Sequence, residues 1–408
     1  MSLIVQKYGG TSVGSTERIR RVAERIARTR GEGHDVIAVV SAMSGETDRL
    51  LELGRELSKR PTEREMDVLV ASGEQVSAAL LAIALNDRGV QTRSMLGHQA
   101  EIRTDAVHTK ARIRTISKER LQAVLDSGSV VVVAGFQGVD DEGNITTLGR
   151  GGSDTSAVAI AAAIGADMCE IYTDVEGVYT TDPNICSTAR KMRQISFEEM
   201  LELSSLGAKV LQIRAVELAM KHRMPIHVRS SFSDAEGTIV TAEENVLESV
   251  VVAGVTADKK AVKVTVRDLP DYPGVVAQVF EPLAEANISV DMIIQNVSDQ
   301  GETDLTFTVS QEDAARAQEL ARELSKTLGG KDVILDDHVA KVSIVGLGMR
   351  NHAGIAARMF RLLADEGVNI EAISTSEIKT SVLVHSKYTE LAVRVLHDGF
   401  GIGDTPGA

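Results

Sequence analysis

Lys7-Tyr8-Gly9-Gly10-Thr11-Ser12-Val13-Gly14-Ser15-Thr16 joins a short β-branched run to a segment of helical period. Gly9 and Gly14 have the spacing of a Walker A loop, but Ser15 stands where that motif needs lysine. The nearby cation is Lys7, upstream of the glycines. The loop therefore reads as a phosphate cradle of another design. Backbone N–H groups and a helix N-terminus face an anion, and an ammonium comes from the strand end. Tight strand-to-helix geometry alone also accounts for glycines here.

Gly149-Arg150-Gly151-Gly152-Ser153-Asp154 is a second such loop before a helix. Ser153 or Asp154 would serve as the N-cap, but a cap needs neither three glycines nor an arginine. Glycines admit close approach of amides to a ligand, and the Arg150 fork matches a carboxylate or phosphate. Thr173-Asp174-Val175-Glu176-Gly177-Val178-Tyr179-Thr180-Thr181-Asp182-Pro183 sets acidic groups beside hydroxyls. Carboxylates next to a phosphate site serve magnesium or a ribose hydroxyl, while Asp182-Pro183 also reads as a turn. Ser41 to Thr47 is a further strand-end loop of small polar residues. Glu74 and Lys209 read either as exposed helix charges or as site groups. The chain has no Ser/His/Asp, Cys/His or HExxH pattern. Anion loops, lysines, an arginine and carboxylates together suit phosphoryl transfer, in which catalysis is positioning and charge neutralisation.

The elements that must position these groups alternate over the first 230 or so residues. Apolar runs predict strands at 3–6, 35–40, 130–134, 170–172 and 226–229, and helical periodicity predicts helices at 16–29, 65–84 and 154–164. Such alternation gives an open, mainly parallel sheet between two helix layers, a three-layer α/β/α domain with ligands beyond the carboxyl ends of the strands. The last 150 residues differ. Val262, Gly274, Ala277, Phe280, Leu283 and Ile293 recur 80 residues later as Val342, Gly354, Ala357, Phe360, Leu363 and Ile373. Two similar small modules packed together follow.

Composition sets the bounds. Lys and Arg number 44 against 58 Asp and Glu, a net charge of −14, so the global field repels nucleic acid and anionic lipid. Aromatics are 3% and Trp is absent, which leaves no stacking platforms for single strands. Cys169 and Cys186 make neither a disulfide framework nor a zinc motif. No uninterrupted apolar run reaches the roughly 18 residues of a membrane span. The expectation is a cytoplasmic protein with no nucleic-acid or membrane partner.

At the loops quoted above, and at Val40-Ser41-Ala42-Met43-Ser44 and Ser72-Gly73-Glu74, the chain resembles the aspartate kinase (aspartokinase) family of the amino-acid kinase superfamily. The resemblance runs over nearly the whole length, and the C-terminal copies resemble tandem ACT modules, ferredoxin-like βαββαβ units that bind amino acids. It implies a catalytic domain at 1–245, a first ACT domain at 246–335 with 389–408 as a candidate to complete it, and a second at 336–408. Val250 to Thr256 is an alternative completing segment. It further implies ATP and L-aspartate as substrates. Lys7, Lys209 and Asp154 would be catalytic, the ammonium groups on the transferring phosphoryl group and Asp154 holding them. Ser41, Thr47, Glu74, Arg150, Gly151, Gly152 and Ser153 would bind aspartate. Lys7, Tyr8, Gly9, Gly10, Thr173, Asp174, Tyr179, Asp182 and Lys209 would bind ATP, with Mg2+ carried by the nucleotide and no direct protein ligand. Lysine, threonine or both would bind near Asp271, Gly274, Gln295, Met349, Gly354, Asn369, Ile370, Ser376 and Glu377. At least a homodimer through ACT modules is expected. A separate ACT-only subunit, known among relatives, would here need a non-Met start, since no Met lies between Met224 and Met292. The rival readings are another carboxylate kinase of the superfamily and a non-catalytic amino-acid sensor.

Overall fold

The structure is a computed structural model that describes residues 2–206, 210–245, 251–297 and 301–403. The first part of the chain runs β1 (Leu3–Tyr8), α1 (Thr16–Gly31), β2 (Asp35–Val40), α2 (Glu46–Leu57), α3 (Glu63–Asp87) and β3 (Thr92–Met95). It continues through β4 (Ile102–Thr104), β5 (Ile113–Ile116), α4 (Lys118–Leu125), β6 (Val130–Ala134), β7 (Gln137–Val139), β8 (Ile145–Thr147) and α5 (Gly152–Ile164). Then come β9 (Met168–Thr173), β10 (Gln194–Ser196), α6 (Phe197–Ser205), α7 (Ile213–His222), β11 (Ile226–Ser230) and β12 (Thr238–Thr241).

Eight of these strands form one sheet in the order β10-β12-β11-β9-β1-β2-β6-β3, parallel throughout except for the β11–β12 pair. Because side chains alternate across a strand, the unbroken apolar runs supply two cores at once. Val5, Ile37, Val39, Val131 and Val133 face one layer, with Ala157, Ile160 and Ala161 of α5. Tyr8, Val36, Ala38, Val40, Val130 and Val132 face the other, with Ile19, Val22, Ala23 and Ile26 of α1. The α1 face is the one its periodicity predicts. Lys7 has the parity of Val5, so the pleat directs it to the α5 side. A second small sheet, β5-β4-β7-β8, closes over one end. Its strands of three or four residues carry no periodic signal, and the sequence reading had no place for them. Among the described residues, α3 alone is long and apolar enough to cross a bilayer by length and composition, and half of that window is buried in this fold.

The remaining chain runs β13 (Gly254–Asp258), β14 (Ala261–Pro270), α8 (Val275–Glu285), β15 (Val290–Val297), β16 (Glu302–Ser310), α9 (Ala314–Leu328) and β17 (Asp332–Asp336). It ends with β18 (Val339–Val345), α10 (Ile355–Asp365), β19 (Ala372–Thr375), β20 (Lys379–His385) and α11 (Thr389–Gly399). One four-stranded sheet, β15-β16-β14-β17, is contiguous in sequence. The other, β13-β18-β20-β19, takes β13 from ahead of the first module. The chain end from Thr389 does not complete the first module. It forms α11, whose Ala392, Val393 and Leu396 are buried with Val255, Val342 and Ile344 in the second module's own core. The strand added to the second module's sheet is β13 (Gly254–Asp258), which overlaps the Val250–Thr256 segment only in part. The two modules touch through β14 and β18. Crossed ion pairs join them, Lys263 to Glu371 and Lys341 to Asp291, and Asp291 and Glu371 stand 80 residues apart like the rest of the repeat.

Candidate active site

Two cavities open at the carboxyl edge of the large sheet, built from neighbouring strand ends. The first, of 500 Å³, is lined by Lys7, Gly10, Ser41, Thr47, Glu74, Arg150, Gly151, Gly152, Ser153 and Asp154. Lys7 leaves β1 on the α5 side and meets Asp154 there, Nζ to Oδ1 2.7 Å, both side chains largely buried. Asp154 reaches it because Gly151 ends the preceding loop at φ +70° and caps α5, which puts Gly152, Ser153 and Asp154 in the first helical turn. A side chain at Gly151 would both strain that backbone and collide with Gln212, whose Cγ lies 2.1 Å from the Cβ position. Gly10 is equally constrained, since a Cβ there would sit 2.9 Å from the Ala42 carbonyl oxygen. The first and second strand-end loops therefore pack backbone to backbone.

Glu74 projects from the middle of α3 and is 3% exposed. Its Oε1 accepts a hydrogen bond from the Ala42 amide at 3.1 Å, and among the described residues Oε2 has no partner. Burial pushes its pKa up from 4.5 to about 7, the Ala42 amide opposing. A buried carboxylate with one unmatched oxygen facing a cavity suits an ammonium ligand. This removes the reading of Glu74 as a surface charge.

The second cavity, of 720 Å³, is lined by Thr173, Asp174, Tyr179 and Asp182, so the expected nucleotide residues gather beside the expected aspartate residues. Its opposite wall comes from the regulatory half, with Val255 to Lys260, Glu390 and Val393. Nothing local in the sequence signalled that wall. Lys209 lies outside the described residues. Tyr8 lines neither cavity. Its ring is fully buried, stacked on Tyr172 at 4.8 Å, with the hydroxyl donating to Gln6 Oε1, because it has the opposite parity to Lys7. Only its backbone faces the site side, and that carbonyl accepts the Ser41 amide. Gly9 lines neither cavity as well, but its amide donates to the Tyr172 carbonyl and its Cα lies beside Lys7 Nζ.

Asp67 is a residue the sequence reading missed. It is fully buried in α3, accepts hydrogen bonds from the Thr109 amide and the Thr147 hydroxyl, and pairs with His108 Nδ1 at 2.8 Å. It thereby ties the 108–109 turn to the floor of the first cavity. The one available signal was a charge set among Met66, Val68 and Val70. The fold also assembles a group absent from any local motif: Cys186, His397 and Asp398, with ligand-type atoms within 4.8 Å of one another. It lies where α11 meets the loop after Asp182, away from the phosphoryl cavity.

Two of the expected effector residues, Gly274 and Gly354, fall at matching turns of the two modules. Gly274 (φ +100°) and Gly354 (φ +90°) cap α8 and α10 in left-handed backbone, which explains why glycine recurs at this register. Asp271 lies three residues ahead of Gly274, and Gln295 lies in β15. Met349 precedes Gly354, Asn369 and Ile370 follow α10, and Ser376 and Glu377 lie between β19 and β20, with Glu377 paired to Arg350 at 3.5 Å.

The sequence model of the Amino acid kinase family matches residues 2–230, and that of the ACT domain matches 262–323 and 342–400. An aspartate kinase of Stutzerimonas stutzeri is 54% identical over 407 residues, covering 100% of this chain and 98% of the relative. The chain belongs to the aspartate kinase family. Among solved structures, E. coli aspartokinase III in complex with aspartate and ADP superposes with a TM-score of 0.81 at 27% identity, covering 97% of this chain and 99% of that one. The same enzyme with lysine and aspartate gives 0.77 at 27% identity over 98% and 99%. Those proteins share the kinase fold, the mainly parallel sheet and the ACT pair described above.

Proposed function

We propose that this chain transfers the γ-phosphoryl group of ATP to the β-carboxylate of L-aspartate, giving 4-phospho-L-aspartate, the entry to lysine, threonine and methionine synthesis and to diaminopimelate. The carrying observation is the Lys7–Asp154 pair at the floor of a cavity that also presents Arg150 and a half-satisfied Glu74. The acceptor carboxylate is ionised near neutral pH, with an ordinary pKa of about 3.9, so no general base is required. The obstacle is bringing an anion against a polyanion, and ammonium groups with oriented amides lower it.

In this reading Arg150 grips the α-carboxylate and Glu74 the amino group, with Ser41, Thr47 and the 151–153 amides around them. Lys7 and Lys209 neutralise the transferring phosphoryl group, and Asp154 holds Lys7 in register. Thr173, Asp174, Tyr179 and Asp182 hold the nucleotide, with Gly9 and Gly10 near its phosphates. Magnesium carried on the nucleotide would supply charge neutralisation at its phosphates. Asp174, exposed at the cavity rim with Thr173 Oγ1 on one oxygen, is a hard-oxygen group suited to the ion's hydration shell. Residues 1–245 form the catalytic domain. The first ACT module is drawn from 246–335 and the second from 336–408, joined by β13. Lysine, threonine or both act through these modules. Ile293 and Ile373, equivalent in the repeat, are exposed on the edge strands β15 and β19, which supports a homo-oligomer joined through ACT edges. The place of action is the cytoplasm.

The test is a coupled ADP-release assay with aspartate, glutamate and acetylglutamate as acceptors, repeated with lysine, threonine and both. Turnover with aspartate and feedback inhibition are expected. Turnover with another acceptor alone would transfer the reading to a different carboxylate kinase, and amino-acid binding with no ATP turnover would make the chain a sensor.

A further inference from the structure

The nucleotide cavity has two protein arms, and one short strand of the regulatory half holds both. The first arm is the loop after β9, which carries Tyr179 and Asp182 on either side of Thr180. The Val255 amide donates to the Thr180 carbonyl at 2.8 Å, and a Cβ at Gly254 would lie 3.0 Å from that oxygen, so β13 runs flush against the arm. The second arm is α6, whose Leu203 lines the cavity. The Thr256 hydroxyl, on the next residue of β13, donates to the Leu206 carbonyl at 3.2 Å. Consecutive residues of one strand thus bind opposite sides of the cavity.

The same module repeats each hold. Thr180 Oγ1 accepts the Arg190 amide at 3.0 Å and hydrogen-bonds His397 Nε2 of α11 at 2.9 Å, with both side chains buried. On the other arm, the Leu347 amide donates to Glu199 Oε1 at 2.9 Å, and Lys379 pairs with Glu202 at 2.8 Å. Glu199 is also the reciprocal partner in the capping box of α6, so this contact reaches the start of that helix and Thr256 its end. The first regulatory module is joined to the second through β14 and β18 and the crossed ion pairs.

We propose that β13 is the coupling element of the enzyme: it fixes the spacing of the two arms of the nucleotide cavity, and Thr256 and His397 are positioning residues through which the second module sets nucleotide affinity. An effector that shifts this module then acts on ATP before it acts on aspartate. Coupling of this kind is a free energy shared by two sites and is reciprocal, and here a packed, hydrogen-bonded element joins them. The proposal rests on the aspartate kinase reading above, since it takes this cavity as the ATP site.

The experiment uses full-length wild type, Thr256→Val, His397→Leu and His397→Gln, the last keeping a donor near the Nε2 position. KM for ATP and for aspartate are measured separately. Binding of lysine, threonine and both is followed by calorimetry with and without a non-hydrolysable ATP analogue. In wild type the analogue changes effector affinity several-fold. In Thr256→Val and His397→Leu that ratio falls to about 1, KM for ATP rises roughly 3- to 10-fold, and KM for aspartate stays within about twofold. His397→Gln behaves closer to wild type. An unchanged ratio in both disruptive variants overturns the proposal, as does a parallel rise in both KM values with a lowered Tm, which marks a merely structural role. Absence of aspartate-dependent ADP release in wild type overturns the parent reading, and the coupling with it.

Discussion

The two cavities differ in ownership. The phosphoryl cavity is lined by residues between Lys7 and Asp154 alone, with Lys7, Glu74 and Asp154 largely buried, while the nucleotide cavity borrows a wall from the regulatory half. The consequence is a division of labour. On the proposed reading, chemistry would depend on groups fixed at the strand ends of the large sheet, where the pleat and two glycine-dependent loops leave little slack. On the same reading, nucleotide affinity would depend in part on the regulatory half, which supplies that wall.

Four measurements sharpen or break this contrast. Lys7→Ala should give the largest effect, lowering kcat about a thousandfold or more, because an ammonium acting on developing charge in a water-poor site has no replacement. Near-normal kcat in folded Lys7→Ala protein would end the view that charge at this cavity does the chemistry. Glu74→Gln should raise KM for aspartate by about 10- to 100-fold through loss of a charge-assisted hydrogen bond, with KM for ATP nearly unchanged. It should also stabilise the free protein at pH 8 by on the order of 2–3 kcal/mol. The sign follows from the raised pKa: ionising Glu74 costs folding stability above its unfolded value of 4.5, so the gain from Gln vanishes towards pH 4. Chemical denaturation at both pH values checks it.

The third test is wild-type KM for aspartate against pH. With Glu74 titrating at about 7, the ionised fraction falls roughly tenfold between pH 8 and pH 6, and KM for aspartate should rise by about that factor as pH drops. A flat profile would place Glu74 elsewhere than on the amino group. The smallest effect is expected for Tyr8→Phe. The lost Tyr8–Gln6 hydrogen bond should cost about 1 kcal/mol of stability. KM for ATP should stay within about twofold, whereas a large rise would restore Tyr8 to the nucleotide site.

What could be read in advance follows the same division. β2 and β6 coincide to the residue with their apolar runs, 35–40 and 130–134, because a strand buried on both faces leaves a continuous signal. Residues of the first cavity could be grouped in advance because most of them sit in glycine-containing strand-end loops, Glu74 in α3 being the exception. The 80-residue repeat was legible because each copy needs the same left-handed turn at Gly274 and Gly354. Contacts between distant segments were not. The Val255–Thr180 and His397–Thr180 bonds join residues 75 and more positions apart, and no local pattern encodes them. Asp67 was hidden for a different reason: one acid in an apolar helix looks like a solvated charge until the turn at 108–109 is seen folded onto it. α2 was lost because Glu46-Thr47 begins it directly after a polar loop and Gly45 (φ +80°) supplies no side-chain cap to announce it.

The order of strands in the second regulatory sheet has a consequence for how this architecture changes. β13 and β18 are antiparallel neighbours, with Asp258 opposite Lys341, yet the whole of 261–336 is threaded between them. The first module therefore occupies the place of a hairpin turn. Excised at Lys260 and Asp337, it would leave two ends that a turn of about two to four residues can rejoin without disturbing the remaining sheet. A sensor lodged in this way can be exchanged, duplicated or lost as a single cassette, while the strand that grips the nucleotide arms stays in place.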